Sequence, residues 1–139
     1  MTSTVLTHSA SPRMRTNRTV LAGRVLSGLA VAFLALDGVM KLVRPQVVID
    51  STAALGWSAD PATLTTLGIV LLASTALYAV PRTSLIGAIL LTGYLGGAVA
   101  SHARIGAPLI SHVLFGVYLG LMVWGGLWLR NERLRAIIA

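Results

Sequence analysis

Four apolar runs divide the chain, and short polar segments separate them. The runs cover residues 25–43, 62–80, 85–103 and 109–129. A helix of nineteen residues, the length of the first run, is ~29 Å long, which matches the roughly 30 Å hydrocarbon core of a bilayer. We therefore predict an all-α polytopic membrane protein, built as a bundle of four transmembrane helices.

Residues that start and end helices lie between these runs. Arg44-Pro45 ends the first run, and Asp60-Pro61 opens the second as an N-cap followed by a first-turn proline. Pro81 begins the turn between the second and third runs. The predicted helix boundaries follow from this punctuation.

The longest connection, residues 44–60, has two interpretations. Its apolar residues at 47–49 and 53–55 have helix-like spacing, and Trp57 lies where an interfacial aromatic residue would lie. These features favour a helix on the outer membrane surface. An irregular capping loop accounts for the same residues, because the segment is too short to establish a period.

The composition agrees with a membrane location and removes several kinds of chemistry. The chain has 139 residues, 55% of them hydrophobic and 11% charged, and its mean hydropathy is +0.82. It contains no cysteine, which excludes disulfides, thiolate nucleophiles, cysteine-ligated metal centres and dithiol exchange. No set of residues resembles a Ser-His-Asp triad or a phosphate-binding loop.

The net charge of +7 indicates topology rather than nucleic-acid binding, because the basic residues flank the apolar runs. One side of the membrane would carry Arg13, Arg15, Arg18, Arg24, Arg82, Arg130, Arg133 and Arg135. The other side would carry only Arg44 and Arg104. We therefore expect a multi-pass protein of a bacterial-type inner membrane with both termini in the cytoplasm. Residues 1–24 are predicted to be a mobile basic tail before the membrane domain at 25–135.

Ionisable residues inside the runs are the candidates for a binding site. Asp37 and Lys41 are four residues apart and share one helix face, where Lys41 should extend its amine to the headgroups and leave Asp37 as the costly charge. They either neutralise each other and fix the rotation of the helix, or they handle a substrate or a proton. His102 and His112 should lie at the same depth, in the outer half of the membrane. The alternative is that each histidine lies in the membrane interface and has no function. The topology predicts that all four side chains converge in the outer half of the bundle.

Small residues form ridges on the third and fourth helices. Gly93 and Gly97 are four apart, as are Gly116 and Gly120, and Ser101 continues the first ridge. Such ridges allow helices to approach closely. We expect them to pack within the chain, and a dimer seam is the alternative.

A lipophilic or quinone-like molecule is the ligand that these residues suit best. Lys41 or a histidine could donate a hydrogen bond to a carbonyl oxygen in an apolar cleft. Haem held by the two histidines, or a metal held with Asp37, is not expected, since nothing in the spacing forces both imidazoles toward one cavity. The identity of the ligand and the oligomeric state stay open.

The sequence resembles the DoxX-like family of small four-helix membrane proteins from about Leu26 to Arg135. The resemblance rests on GVMKL at 38–42, on PR at 81–82 followed by LIGA at 85–88, and on GAVASH at 97–102. It implies a four-helix membrane bundle in which Lys41 and His102 are signature positions. Ser101 stands where relatives often have threonine and keeps the hydroxyl group, so it joins Asp37 and the others as a candidate ligand-binding residue.

The family has no single activity, and two functions follow from the resemblance. Some relatives look like membrane subunits of oxidoreductases, including a thiosulfate:quinone enzyme, which favours an accessory of a membrane redox system that binds a quinone-like molecule. Animal relatives look like assembly chaperones for membrane receptors, which favours a non-catalytic factor that docks the transmembrane helices of a partner. A small transporter ranks last, since inverted repeats and broken helices are not apparent.

Overall fold

The computed structural model describes the backbone of residues 12–138 and the side chains of residues 17–138. All regular secondary structure in this part of the chain is helical. The helices are α1 (Pro12–Val43), α2 (Gln46–Ala54), α3 (Pro61–Ala79), α4 (Ser84–Arg104), α5 (Phe115–Arg130) and α6 (Glu132–Ile138). A π-helical segment, Leu109–Val113, precedes α5. Four stretches are long and apolar enough to cross a membrane, namely Asn17–Val43, Pro61–Ala79, Ser84–Arg104 and Leu109–Arg130. The predicted all-α architecture with four membrane spans is confirmed.

Helix α1 begins earlier than predicted. Its first residue is Pro12, whose fixed φ suits the first turn of a helix, and no proline follows until Pro45. The predicted tail of residues 1–24 is therefore shorter, because residues 12–24 extend the helix, and residues 1–11 lie outside the described part. The helix ends where Arg44 adopts a left-handed conformation with φ 58° before Pro45.

The connection between α1 and α3 contains the helix that one of the two interpretations predicted. Helix α2 is followed by Gly56, whose φ is +82°, and the chain then crosses the end of α4. There Arg104 Nη2 donates a hydrogen bond of 2.9 Å to the carbonyl oxygen of Leu55. The Trp57 indole donates one of 3.1 Å to the Ser101 hydroxyl. The connection therefore covers the C-terminal end of α4.

The four long helices form a ring in which each contacts two others. Helix α1 packs against α3 and α5, and α4 also packs against α3 and α5, so α1 and α4 lie diagonally opposite. The largest side chains in the shared core are those of Tyr78, Leu34, Leu71, Leu91 and Leu127. The outward faces carry exposed leucine, isoleucine, valine and phenylalanine, as the lipid-facing surface of a membrane bundle does.

Only one of the four glycines predicted to pack makes a close helix contact. Gly116 does pack against α4, since a Cβ built there would lie 2.8 Å from a Val99 methyl carbon. A Cβ on Gly93, Gly97 or Gly120 meets nothing within 4 Å, so the packing predicted for these three within the chain is wrong. The reason is rotation, because these three glycines point away from the other helices of the single chain.

The fourth span starts with a wider turn than an α-helix. The carbonyl oxygen of Pro108 accepts hydrogen bonds from the backbone N–H groups of both His112 (3.0 Å) and Val113 (3.2 Å). The wider turn shifts His112 relative to Gly116. These two residues are four apart in the sequence, but they do not form one continuous ridge. Segments of π-helix are frequent at functional sites.

Candidate functional site

Asp37 and Lys41 form an ion pair on α1, in the half of the span that ends at Val43. Lys41 Nζ donates a hydrogen bond of 2.6 Å to Asp37 Oδ1. The Lys41 side chain is 16% exposed and the Asp37 side chain is 52% exposed. The hydrogen bond turns the amine back toward Asp37 along the helix rather than out toward the headgroups, and the acid is left open at the bundle surface.

His102 and His112 lie together at the end of the bundle where α4 ends and the fourth span begins. Their ring centroids are 6.0 Å apart and the rings are inclined by 49°. His102 Nδ1 lies 2.9 Å from the carbonyl oxygen of Ala98. Because a carbonyl oxygen only accepts, Nδ1 carries a proton and, in the neutral ring, Nε2 is the acceptor. His112 Nδ1 is 2.7 Å from the Ser111 hydroxyl.

Tyr94 lies on the same helix as His102. Its side chain is partly buried against the core. Tyr94 and His102 lie two turns apart on one ridge of α4, which separates them by ~12 Å of helix rise. We call Asp37, Lys41, Tyr94, His102 and His112 the outer polar cluster.

The two halves of the outer polar cluster approach each other without bonding. Among side chains 17–138, no hydrogen bond or ion pair joins Asp37 or Lys41 to either histidine. Phe33 of α1 and Phe115 of α5 are in contact, with ring centroids 6.1 Å apart. Phe33 lies one turn before Asp37, and Phe115 lies three residues after His112. The aromatic contact therefore lies between the two halves of the cluster.

Ser101 does not belong to this cluster. Its hydroxyl donates to the carbonyl oxygen of Gly97 (2.8 Å) and accepts from the Trp57 indole (3.1 Å). Both contacts lie on the Gly97 side of α4, away from the ridge of Tyr94 and His102. Ser101 therefore anchors the α2–α3 connection, and its predicted place among the ligand-binding residues is not supported by its contacts.

Within the described side chains, no three histidine, aspartate or glutamate residues lie close enough together to hold a metal ion. Outside the spans, hydrogen bonds from the hydroxyl groups of Thr63 and Ser58 lower the pKa of Asp60. The carboxylate at the start of α3 therefore stays ionised to lower pH than an ordinary aspartate, and a negative charge there suits a helix N-terminus.

A second polar cluster, which the sequence did not predict, joins three helices at the other end of the bundle. The fully buried Tyr78 hydroxyl donates to the carbonyl oxygen of Val123 (2.7 Å), so the Ser27 hydroxyl at 2.9 Å donates to Tyr78. Arg130 Nη2 donates to the backbone carbonyl of Tyr78 (2.9 Å), and its guanidinium carbon lies 4.9 Å from the centre of the tyrosine ring. Sequence analysis counted Arg130 only as a topology residue. The hydroxyl groups of Ser27 and Tyr78 inside apolar runs were the available indication.

Comparison with known proteins gives one match. The model of a family described as the DoxX-like family matches residues 25–126, a stretch that holds the complete outer polar cluster. No curated protein and no solved structure matches the chain.

Proposed function

Since this chain belongs to the DoxX-like family, we propose that it is a small accessory subunit of a membrane redox system and binds a lipophilic or quinone-like molecule at the outer polar cluster. The observation that carries the proposal is the Asp37–Lys41 ion pair, which lies inside a membrane span with its acid half-exposed. Charged side chains in spans are costly and mark functional sites by default.

A ligand with a polar head and an apolar tail would cover this ion pair. The Lys41 ammonium has three N–H donors, and one of them is bonded to Asp37. The other two N–H groups can donate hydrogen bonds to a carbonyl oxygen of the ligand. The neighbouring Phe33 and Phe115 rings are exposed and offer an apolar surface beside the ion pair. This combination suits a quinone head group, whose carbonyl oxygens accept hydrogen bonds and whose ring is flat and apolar.

The histidines would serve proton transfer. Reduction of a quinone to a quinol takes up two electrons and two protons. The acceptor Nε2 of His102, with His112 beside it, could accept a proton or pass one to the bound molecule. The chain has no cysteine to carry electrons, so in this proposal the electrons come from a partner subunit.

Lys41→Met should weaken the binding of decylubiquinone by about tenfold, because a charge-assisted hydrogen bond is lost. The measurement is the amount of decylubiquinone that the detergent-solubilised protein retains at equilibrium. Lys41→Met alone leaves the Asp37 carboxylate unpaired, so Asp37→Asn/Lys41→Met should be tested beside it. The double variant keeps the site neutral and should show the same loss.

The matched control is Arg44→Gln, which removes one positive charge from the same end of the bundle but outside the cluster. It should retain as much decylubiquinone as the unaltered chain. The proposal fails if the unaltered chain retains no decylubiquinone, or if the neutral double variant retains as much as Arg44→Gln.

The orientation proposed for this subunit places both termini in the cytoplasm of a bacterial-type cell, with the outer polar cluster facing the opposite side. The support is the distribution of arginines described above, which puts most of them at the end of the bundle where α1 begins and α5 ends.

A second candidate function, an assembly factor or chaperone that docks the helices of a membrane partner, is supported by the open glycines. Gly93 and Gly97 form a ridge on the exposed surface of α4 with nothing within 4 Å of a built Cβ, so a partner helix could approach closely. Gly97→Leu should then abolish a crosslink between the chain and its partner while decylubiquinone binding is unchanged. Gly116→Leu is unsuitable for this test, because Gly116 packs inside the chain. An undiminished crosslink in Gly97→Leu would exclude docking on this ridge.

A further inference from the structure

A cavity of about 410 Å³ opens at the end of the bundle opposite to the outer polar cluster. It lies between the first part of α1, the α3–α4 turn and the junction of α5 with α6. Three arginines line it: Arg24 from α1, Arg130 from the end of α5 and Arg133 from α6. The proposed quinone site does not use any of these residues.

The charge in this cavity is not neutralised by the protein. Among side chains 17–138, none of the three arginines forms an ion pair. Glu132 also lines the cavity, but it faces a fourth arginine, Arg135, at 3.9 Å. The cavity is therefore lined by three guanidinium groups and by one carboxylate, and that carboxylate already lies near Arg135.

Arg130 adds a donor that the fold leaves unsatisfied. Its Nη2 is bound to the carbonyl oxygen of Tyr78, whereas its Nε is buried and lacks a hydrogen-bond partner in the described part of the chain. Buried donors in native proteins nearly always have a partner. A bound oxyanion beside Arg130 would supply acceptor oxygens to this guanidinium group.

An apolar groove lies next to the basic cavity. It measures about 510 Å³ and is lined by Leu21, Val25, Leu29 and Leu129, with Arg18 toward the N-terminal end of α1. Both the groove and the cavity border α1 and the end of α5, because Arg24 neighbours Val25 and Arg130 neighbours Leu129. A hydrocarbon chain fits such a groove, and the neighbouring cavity fits the charged head of the same molecule.

We propose that the cavity lined by Arg24, Arg130 and Arg133 binds the phosphate group of an anionic phospholipid, whose acyl chain lies in the adjacent apolar groove. Guanidinium groups hold phosphate oxygens through paired charge-assisted hydrogen bonds. A headgroup that adds its own cation, such as choline, is disfavoured by the three arginines. Basic pockets between helices at a membrane surface are a known way to hold anionic headgroups.

The test measures how much phosphatidylglycerol the purified chain retains in detergent, by native mass spectrometry, beside equal amounts of phosphatidylcholine. The unaltered chain should retain phosphatidylglycerol in preference. Arg133→Gln should weaken retention about fivefold, and Arg24→Gln/Arg133→Gln about twenty-fivefold. Both arginines are exposed at the bundle surface, and a circular dichroism spectrum shows whether the variants keep their helix content.

The matched control is Arg82→Gln, since Arg82 is an exposed arginine at the same end that does not line the cavity. It should retain phosphatidylglycerol like the unaltered chain. An equal loss in Arg82→Gln would show that general surface charge holds the lipid and would overturn the proposal, as would equal retention of phosphatidylcholine. A third arm adds inorganic phosphate: if it displaces the lipid, the phosphate comes from solution and the lipid assignment is wrong.

Discussion

Replacing Gly87 with alanine should destabilise the protein by about 2 kcal/mol or more, although alanine is the better helix former. Gly87 is buried on α4 where this helix crosses the end of α3. A Cβ built on it collides with the backbone N and Cα of Tyr78 and lies 2.7 Å from the carbonyl carbon of Leu77. Backbone atoms cannot rotate away as a side chain can, so the two helices must separate.

Gly93→Ala, six residues further along α4, is the matched control. A Cβ there meets nothing within 4 Å, so the only expected effect is the helix propensity of alanine, which stabilises by up to about 1 kcal/mol. The measurement is the free energy of unfolding in mixed dodecyl maltoside and dodecyl sulfate micelles, followed by circular dichroism. If both variants shift the free energy in the same direction, the close contact between α3 and α4 is wrong.

The spans could be predicted from the sequence because the thickness of a bilayer sets a minimum length of apolar residues. The rotation of each helix could not. In a soluble helix the polar face marks the outside, but here lipid and core are both apolar, so the period carries little information. This is why Gly93 and Gly97 were expected to pack inside the chain, while Gly87, which does meet α3, was not identified as a packing residue.

The start of the fourth span shows a second limit. A π-helical segment differs from an α-helix by one residue in its hydrogen-bond spacing, and LISHV at 109–113 has no composition that distinguishes the two. The one residue that marks this position in the sequence is Pro108, which directly precedes the segment. The approach of His112 to His102 followed correctly from the topology, because the depth of a residue depends on its distance from the span end rather than on the exact turn.

The candidate site was also only partly predictable from the sequence. Asp37 and Lys41 had to meet, since a spacing of four places two side chains on one helix face. Which of the two is covered by neighbouring helices depends on tertiary packing, and the sequence did not show that it is Lys41. Tyr94 shares a ridge of α4 with His102 because the two are eight residues apart, but its burial against the core depends on tertiary packing that the sequence does not show.

Buried hydrogen bonds between helices concentrate away from the outer polar cluster. Tyr78 connects α3 to α1 through Ser27 and to α5 through Val123, and Arg130 adds a second contact from α5. The Asp37–Lys41 pair, by contrast, bonds within α1 only. Among side chains 17–138, no hydrogen bond or ion pair joins α1 to α5 at the outer polar cluster. The proposed ligand can therefore enter there, while the hydrogen bonds at the other end hold the bundle together.

Tyr78→Phe should test that role and cost about 2 kcal/mol, since it removes two buried hydrogen bonds of about 1 kcal/mol each and keeps the ring. The Ser27 hydroxyl, which is 5% exposed, loses its acceptor, and the Val123 carbonyl loses a donor. The contact of the Arg130 guanidinium with the ring is retained, because phenylalanine also presents an aromatic face.

Tyr118→Phe separates this effect from the general consequences of losing a phenol. Tyr118 is 43% exposed on α5, outside the buried polar cluster, so its loss of a hydroxyl should change the free energy of unfolding in mixed micelles by less than about 0.5 kcal/mol. Ser27→Ala should reproduce part of the loss in Tyr78→Phe, and adding it to Tyr78→Phe should cost little more, because both substitutions remove the same bond. If the two losses simply add, Ser27 and Tyr78 do not act through each other, and the hydrogen bond between them does not contribute to stability.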